Sequence, residues 1–449
     1  MSLMQLLQRR MESIGPIRVG LIGAGKFGSM FLSQVPTTPG IEVTVIADLD
    51  PPQAQVTCGV AGWDAETLSR TRFIEDGTVL AKADDVDVVV EATGHPAAGV
   101  AHAQAAVNEG KHIIMVNVEA DVLAGPLLAR QAESAGIVYS MAYGDQPALI
   151  CELVDWARSC GFDVVAAGKG TKYLPSYHDS TPDTVWDHYG ITAEQAAGAR
   201  MNSQMFNSFL DGTKSAIEMA ATADATGLTP APHGLTFPPC GTDDLPHVLK
   251  PRDRGGLLHH KGQVEVVSSL ERDGQPVHRD LRWGVYVVLE APNDYAADCF
   301  RQYGLLTDDT GRYAAMYKPY HLIGLELNIS ILSAVLRQEP TGCMTDFRAD
   351  VVATAKRDLT AGEILDGEGG FTVRGRLMPA YDSLQLRGLP IGLAHGVQLT
   401  RDVAEGQPLC WPDISIDDAN KIVRLRQSME QSCRAEWNIC ESVVAVPPA

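Results

Sequence analysis

Six consecutive residues, Gly23-Ala24-Gly25-Lys26-Phe27-Gly28, have the types and spacing of a phosphate-binding turn. Gly23 permits the tight bend, Gly25 lets backbone approach a pyrophosphate, and Gly28 lets the following helix lie close to its strand. Free N–H groups at the helix start meet the negative charge. Asp48 stands 20 residues beyond Gly28, where a carboxylate binds ribose hydroxyls. Together they predict a bound dinucleotide. Asp48 repels a 2′-phosphate and no arginine follows it in LDPPQAQ, which favours NAD over NADP. Lys26 serves the phosphates or only solvent.

Further along, Ala92, Thr93 and Gly94 form a small-residue stretch able to lie under the nicotinamide end. His95, before a proline, reads as a surface group. Asn117 ends another apolar run at the edge where ligands of such sheets bind. Glu119 then touches substrate or metal, or is only a helix-start carboxylate. Lys169 and Lys172 are interleaved with Gly168 and Gly170, a pattern that suits an anionic substrate, particularly a phosphate. Either lysine can polarise a carbonyl or donate a proton once burial lowers its pKa. A basic surface loop is the plain alternative. Lys214 and Glu218 lie four apart, on one face if helical, which by itself makes only a weak ion pair. Tyr320 and His321 have the side chains of a site lid or a dimer contact, and His259-His260 reads as loop surface.

Positioning these groups requires particular elements. Apolar runs at 17–22, 43–48, 86–91, 112–117 and 136–140 alternate with helical stretches. Five strands separated by helices describe a parallel, doubly wound sheet over residues 1–158. Residues 159–345 carry strand-like runs between long Gly/Pro/Asp-rich loops, predicting an α+β substrate and dimerisation domain. Residues 346–449 contain a repeat: RDLTAGEIL at 357–365 matches RDVAEGQPL at 401–409, offset by 44. That predicts a small β module of paired halves. The tail from Ile416 to Gln431 reads as a helix, with Asp417 and Asp418 near its start and Lys421, Arg424 and Arg426 later. Met4, Leu7 and Met11 mark a short amphipathic helix at the other end.

Composition narrows the class. The 449 residues include 56 Asp+Glu against 36 Lys+Arg, a net charge of −20, so phosphate backbones and anionic lipid are repelled. Hydrophobic residues make up 45%, ordinary for a globular enzyme, and no apolar run approaches the ~20 residues of a membrane span. Nine scattered cysteines without a CxxC pair suit reduced thiols. No leader-like apolar segment opens the chain. A cytoplasmic protein acting on small molecules, without nucleic acid or membrane partners, is the expectation.

These motifs carry a resemblance. GAGKFG, VDVVVEATGHP and GKHIIMVNVEAD look like the cofactor domain of homoserine-dehydrogenase-like oxidoreductases. The paired RDLTAGEIL/RDVAEGQPL unit looks like a SAF (β-clip) domain. With AYGDQPA, AAGKGTKYLP, NSFLDGTKSAIE and MYKPYHLIGLE, the chain resembles the 1-deoxy-D-xylulose 5-phosphate reductoisomerase-like (DRL) enzymes. The resemblance implies a homodimer using NADPH, with NADH possible, and Mg²⁺ or Mn²⁺ to rearrange and reduce a sugar phosphate. By analogy with classical reductoisomerases, Asn207, Ser208 and Lys214 would hold substrate, and Asp145 and Glu218 the metal. Two departures stand out: Gln146 and Pro147 follow Asp145, and Val118 replaces an expected lysine, a role left to Lys169 or Lys172. The expected activity is reductoisomerisation of 1-deoxy-D-xylulose 5-phosphate to 2-C-methyl-D-erythritol 4-phosphate. A dehydrogenase or oxidoisomerase of a short or branched sugar acid, or of a homoserine-like alcohol, is the alternative on the same scaffold. A nucleotide-sensing scaffold without turnover is another.

Overall fold

The computed structural model describes residues 2–198, 201–417 and 419–439. Within them the chain forms two compact units, each assembled from two stretches of sequence.

The first unit comprises Met1–Glu152 and His321–Thr345. Its parallel sheet contains β1 (Ile17–Ile22), β2 (Ile41–Ala47), β3 (Arg72–Ile74), β4 (Val88–Glu91), β5 (His112–Met115) and β6 (Tyr139–Met141), in the order β3-β2-β1-β4-β5-β6. This is the doubly wound dinucleotide-binding order. The expected five strands are present, with boundaries moved by a few residues. β3 is added because its three residues are too few to leave a periodic signal. The strands read as continuous valine and isoleucine because helices cover both faces. Leu327 and Ile331, from the second stretch, join Val88, Val90 and Ile114 in this unit's core. Residues 321–345 therefore pack with the sheet rather than with the segment before them. The N-terminal helix Leu3–Ser13 is present, capped by Ser2. Of the three residues expected to mark its apolar stripe, Leu7 is buried while Met4 and Met11 are exposed. Arg10 ties the helix to Asp87 at 3.0 Å.

The second unit comprises Leu153–Tyr320 and Asp346–Ala449. Its main sheet contains β7 (Asp163–Thr171), β8 (Gln263–Ser268), β9 (Val285–Glu290), β10 (Leu306–Thr307) and β11 (Tyr313–Lys318), ordered β10-β11-β9-β7-β8. The helix Thr213–Thr226 packs against β7 and β8 and also against β12 (Ala349–Ala355) and β14 (Val373–Pro379) of the C-terminal β module. Ala216, Ala220, Ala221 and Ala223 let it be buried on nearly every side. The module and the α+β segment, expected as separate domains, are thus one unit.

The module's repeat is a structural one. β13 (Ile364–Asp366), β15 (His395–Leu399) and β16 (Ile414–Ser415) complete it. Leu359 and Val403, equivalent residues of the two halves, exchange both backbone hydrogen bonds at 2.9 Å. Asp358 accepts from the Glu405 N–H at 2.9 Å, and its counterpart Asp402 accepts from the Ala361 N–H at 2.8 Å. Gly362 and Gly406 take matching left-handed turns at φ 90° and 75°. The two copies of one motif therefore pair with each other across a local twofold.

The final helix runs Lys421–Glu436 with Asn420 as its cap, five residues later than expected. Lys421 consequently sits in the first turn, against the dipole, and Asp417 lies outside the helix. Arg426 is not a surface cation but is fully buried, pairing with Asp350 at 2.6 Å and Glu430 at 2.8 Å. Asp418 and Cys440 lie outside the described residues; the eight described cysteines are free thiols. No helix among the described residues is long and apolar enough to cross a membrane.

Candidate functional site

The glycine turn in the first unit has a geometry that separates the three glycines by task. Gly23 has φ 95°, and a Cβ there would lie 2.7 Å from the Ala92 carbonyl oxygen. A Cβ on Gly28 would lie 2.3 Å from the Gly23 carbonyl oxygen, so both residues are demanded by the fold. Gly25 differs. Its φ is −67°, it is exposed, and a Cβ would meet nothing within 4 Å. Gly25 also caps the helix Lys26–Gln34 without a side-chain hydrogen bond. That space, beside uncapped helix N–H groups, suits a pyrophosphate. Lys26 is exposed, Phe27 half-buried and Ala24 buried. Asp48 accepts from the Ala24 N–H at 2.8 Å and the Asp50 N–H at 3.0 Å, so it braces the turn besides offering oxygens to a ribose.

At the ends of β4 and β5, Asn117 is buried and donates to the His95 carbonyl at 3.0 Å and the Thr93 hydroxyl at 3.3 Å. This leaves Thr93 and Gly94 exposed and Ala92 half-buried over the strand ends. Sequence reasoning missed the support beneath them. Buried Glu91 accepts from the Thr93 hydroxyl at 2.5 Å and lies 3.1 Å from His102 Nδ1. Its signal was a carboxylate closing an otherwise apolar strand. Glu119 is half-buried in the first turn of the helix Val118–Ser134.

In the second unit, Lys169 and Glu218 come together. Lys169 on β7 pairs through Nζ with the Glu218 carboxylate on the helix Thr213–Thr226, and both are almost wholly buried. Lys214, half-buried, lies in that helix's first turn. Lys172 is elsewhere engaged: its Nζ donates to the His188 carbonyl at 2.5 Å and lies 5.7 Å from the Tyr189 ring centroid. Burial and the Arg282 charge lower its pKa.

Several expected substrate groups have structural duties instead. Gly168 and Gly170 do not cradle a phosphate. β7 is bonded on both edges, and a Cβ would stand 1.8 Å from the Glu265 carbonyl oxygen at 168 and 1.9 Å from that of Leu281 at 170. Close strand packing, not a ligand, requires these glycines. Asn207 donates to the carbonyls of Ser180 and Gly369 and accepts from the Ser180 hydroxyl, while the Ser208 hydroxyl donates back to the Met205 carbonyl. Tyr320 is 61% exposed and His321 half-buried. His260 is held by the Thr229 hydroxyl at 2.6 Å.

The residues do not fit the expected divalent cation. Among the described residues no three His, Cys, Asp or Glu side chains gather at metal-binding range. Glu218 is engaged by Lys169, and Asp145 accepts from the Gln146 N–H at 2.9 Å.

Residues 17–115 match a family described as "Oxidoreductase family, NAD-binding Rossmann fold", and residues 144–327 match "Oxidoreductase DRL, catalytic domain". Among solved structures, myo-inositol dehydrogenase of Lactobacillus casei is 16% identical over 38% of this chain and 50% of its own, with a TM-score of 0.28. Myo-inositol dehydrogenase of Corynebacterium glutamicum is 14% identical over 38% and 48%, at 0.29. Biliverdin reductase of Synechocystis sp. is 19% identical over 35% and 48%, at 0.26. The chain spans about half the length of these structures. No curated protein matches it. Both matched families are described as oxidoreductases, the first of them as NAD-binding.

Proposed function

We propose that the protein transfers hydride between a nicotinamide cofactor and a carbonyl or alcohol carbon of a small polyhydroxylated, anionic substrate, with the Lys169–Glu218 pair handling the proton. The carrying observation is that buried pair, inside the segment matched to an oxidoreductase catalytic domain. A bound nicotinamide supplies or accepts the hydride. Gly23, Ala24, Gly25, Lys26, Phe27 and Gly28 hold its pyrophosphate, Asp48 its ribose, and Ala92, Thr93, Gly94 and Asn117 its nicotinamide end. In the reducing direction the Lys169 ammonium hydrogen-bonds the carbonyl oxygen and gives up a proton as negative charge develops there. Glu218, ion-paired with that ammonium, orients it. Oxidation reverses the steps.

A second, narrower reading rests on the resemblance carried by AYGDQPA, AAGKGTKYLP and NSFLDGTKSAIE: rearrangement and reduction of 1-deoxy-D-xylulose 5-phosphate. In that reading Lys169 polarises the oxygens of the migrating centre without a metal. A turnover screen of the purified chain with NADH and NADPH against sugar acids, inositols and sugar phosphates distinguishes the two. Lys169→Met is expected to reduce kcat at least ~100-fold and leave nucleotide affinity unchanged, a loss typical of a general acid. Retention of kcat in that variant refutes the assignment.

A further inference from the structure

Beneath the segment assigned to the nicotinamide end lies a carboxylate that the hydride-transfer reading leaves idle. Glu91 occupies the last paired position of β4, opposite Ile22 of β1 and Met115 of β5, and it is fully buried. The rest of that strand is Val88, Val89 and Val90, so the carboxylate interrupts an apolar interior.

Hydrogen accounting fixes its charge. Asn117 Oδ1 accepts from the Ala120 N–H at 3.1 Å, so the atom it turns toward Thr93 is the donating amide nitrogen. The Thr93 hydroxyl oxygen therefore receives the Asn117 amide at 3.3 Å and the His95 N–H at 3.3 Å. Its own hydrogen is left for Glu91 Oε1 at 2.5 Å, and His102 Nδ1 reaches the same oxygen at 3.1 Å. A proton on Oε1 would collide with the Thr93 hydrogen. On Oε2 a proton would find no acceptor, because that oxygen is buried without a hydrogen-bond partner among the described residues. The network is satisfied by the ionised carboxylate, with His102 donating through Nδ1. The imidazole is itself lodged in place: a Cβ on Gly77 would stand 2.6 Å from its Nε2.

Holding a carboxylate oxygen in the interior without a donor is costly. One hydrogen bond separates it from Thr93, which is exposed together with Gly94 over the strand ends. Hydride transfer interconverts a neutral dihydronicotinamide and a ring that carries a full positive charge. A fixed negative charge in a dry setting nearby acts on those two forms unequally.

We propose that Glu91 is a specificity-determining residue whose charge favours the oxidised, cationic nicotinamide over the reduced, neutral one. The proposal rests on the placement of Ala92, Thr93 and Gly94 at the nicotinamide end.

The test titrates the full chain by calorimetry with NAD⁺, NADH, NADP⁺, NADPH and ADP-ribose, the last of which lacks the ring. Wild type is compared with Glu91→Gln, Glu91→Asp and His102→Asn. Glu91→Gln is expected to lower the ratio of oxidised to reduced affinity about tenfold and to leave ADP-ribose binding unchanged. Glu91→Asp keeps the charge and should keep most of the ratio, as should His102→Asn, whose amide replaces the Nδ1 donor. An unchanged ratio in Glu91→Gln, or an equal fall in His102→Asn, overturns the proposal while nucleotide binding stands. So does a loss in Glu91→Gln that ADP-ribose shares, since a merely structural role would weaken every ligand alike. Failure of wild type to bind any of these ligands removes the cofactor assignment and the proposal with it.

Discussion

Gly25→Val is expected to abolish nucleotide binding while leaving the first unit folded. A side chain at 25 meets no protein atom within 4 Å and the backbone is at φ −67°, so stability should change by no more than ~0.5 kcal/mol. Its methyl groups, however, would fill the space through which a pyrophosphate reaches the N–H groups of the helix Lys26–Gln34. Each hydrogen bond to a charged acceptor contributes ~1.5–3 kcal/mol, so losing two lowers affinity at least ~100-fold. Gly28→Val is the contrasting variant. Its Cβ would lie 2.3 Å from the Gly23 carbonyl oxygen, and the turn cannot close without backbone movement. The assay pairs nicotinamide fluorescence titration with thermal melting of wild type and both variants. Wild-type affinity in Gly25→Val refutes the turn as the pyrophosphate site. A melting loss in Gly25→Val as large as that in Gly28→Val refutes the division of roles among the glycines.

Other expectations address the rest of the chain. Lys169→Met strands a buried carboxylate and should cost ~3–5 kcal/mol in urea unfolding, most of it regained in Lys169→Met/Glu218→Met without return of turnover; no recovery would show that the two are not coupled. Burial pushes the His178 pKa down from 6.5 to about 4, so the unfolded chain takes up this proton first. Its contribution is constant above pH ~6.5 and stability falls by about 3 kcal/mol as pH drops through that window. His178→Gln should remove that part of the wild-type slope, and identical slopes contradict the assignment. Arg426→Met leaves Asp350 and Glu430 without their buried partner and should destabilise by ~3–5 kcal/mol, with a loss below ~1 kcal/mol arguing against the triad. Asp48→Ser should shift the NADPH-to-NADH ratio of kcat/KM about tenfold toward NADPH, and an unchanged ratio would show that Asp48 does not face the ribose.

What was legible in the sequence was local. The glycine turn and Asp48 act through adjacent elements, and β1 and β4 announce themselves as unbroken apolar runs. The repeat at 357 and 401 predicted paired halves, and in the structure the aspartate of each copy bonds the other. Nonlocal relations were not legible. Gly168 and Gly170 read as an anion-binding loop or a basic surface loop, and only the carbonyls of Glu265 and Leu281, remote in sequence, reveal the close backbone approach. Glu218 looked free for a metal because nothing nearby in sequence marks Lys169 as its partner. Arg426 carried the ordinary signature of a helix surface, since the Asp350 that buries it lies at the far end of the module.

The first unit's apolar centre is finished by Leu327 and Ile331, which the ribosome delivers only after the whole intervening segment. During synthesis the parallel sheet must wait, with the parts of β5 and β6 that the helix Asn328–Arg337 covers still wet, while residues 153–320 emerge and begin their own collapse. Domains usually mature in the order they leave the exit tunnel. Here that order is inverted at one seam, and a nascent chain stalled near residue 320 would present a sticky, unfinished nucleotide unit to chaperones and proteases.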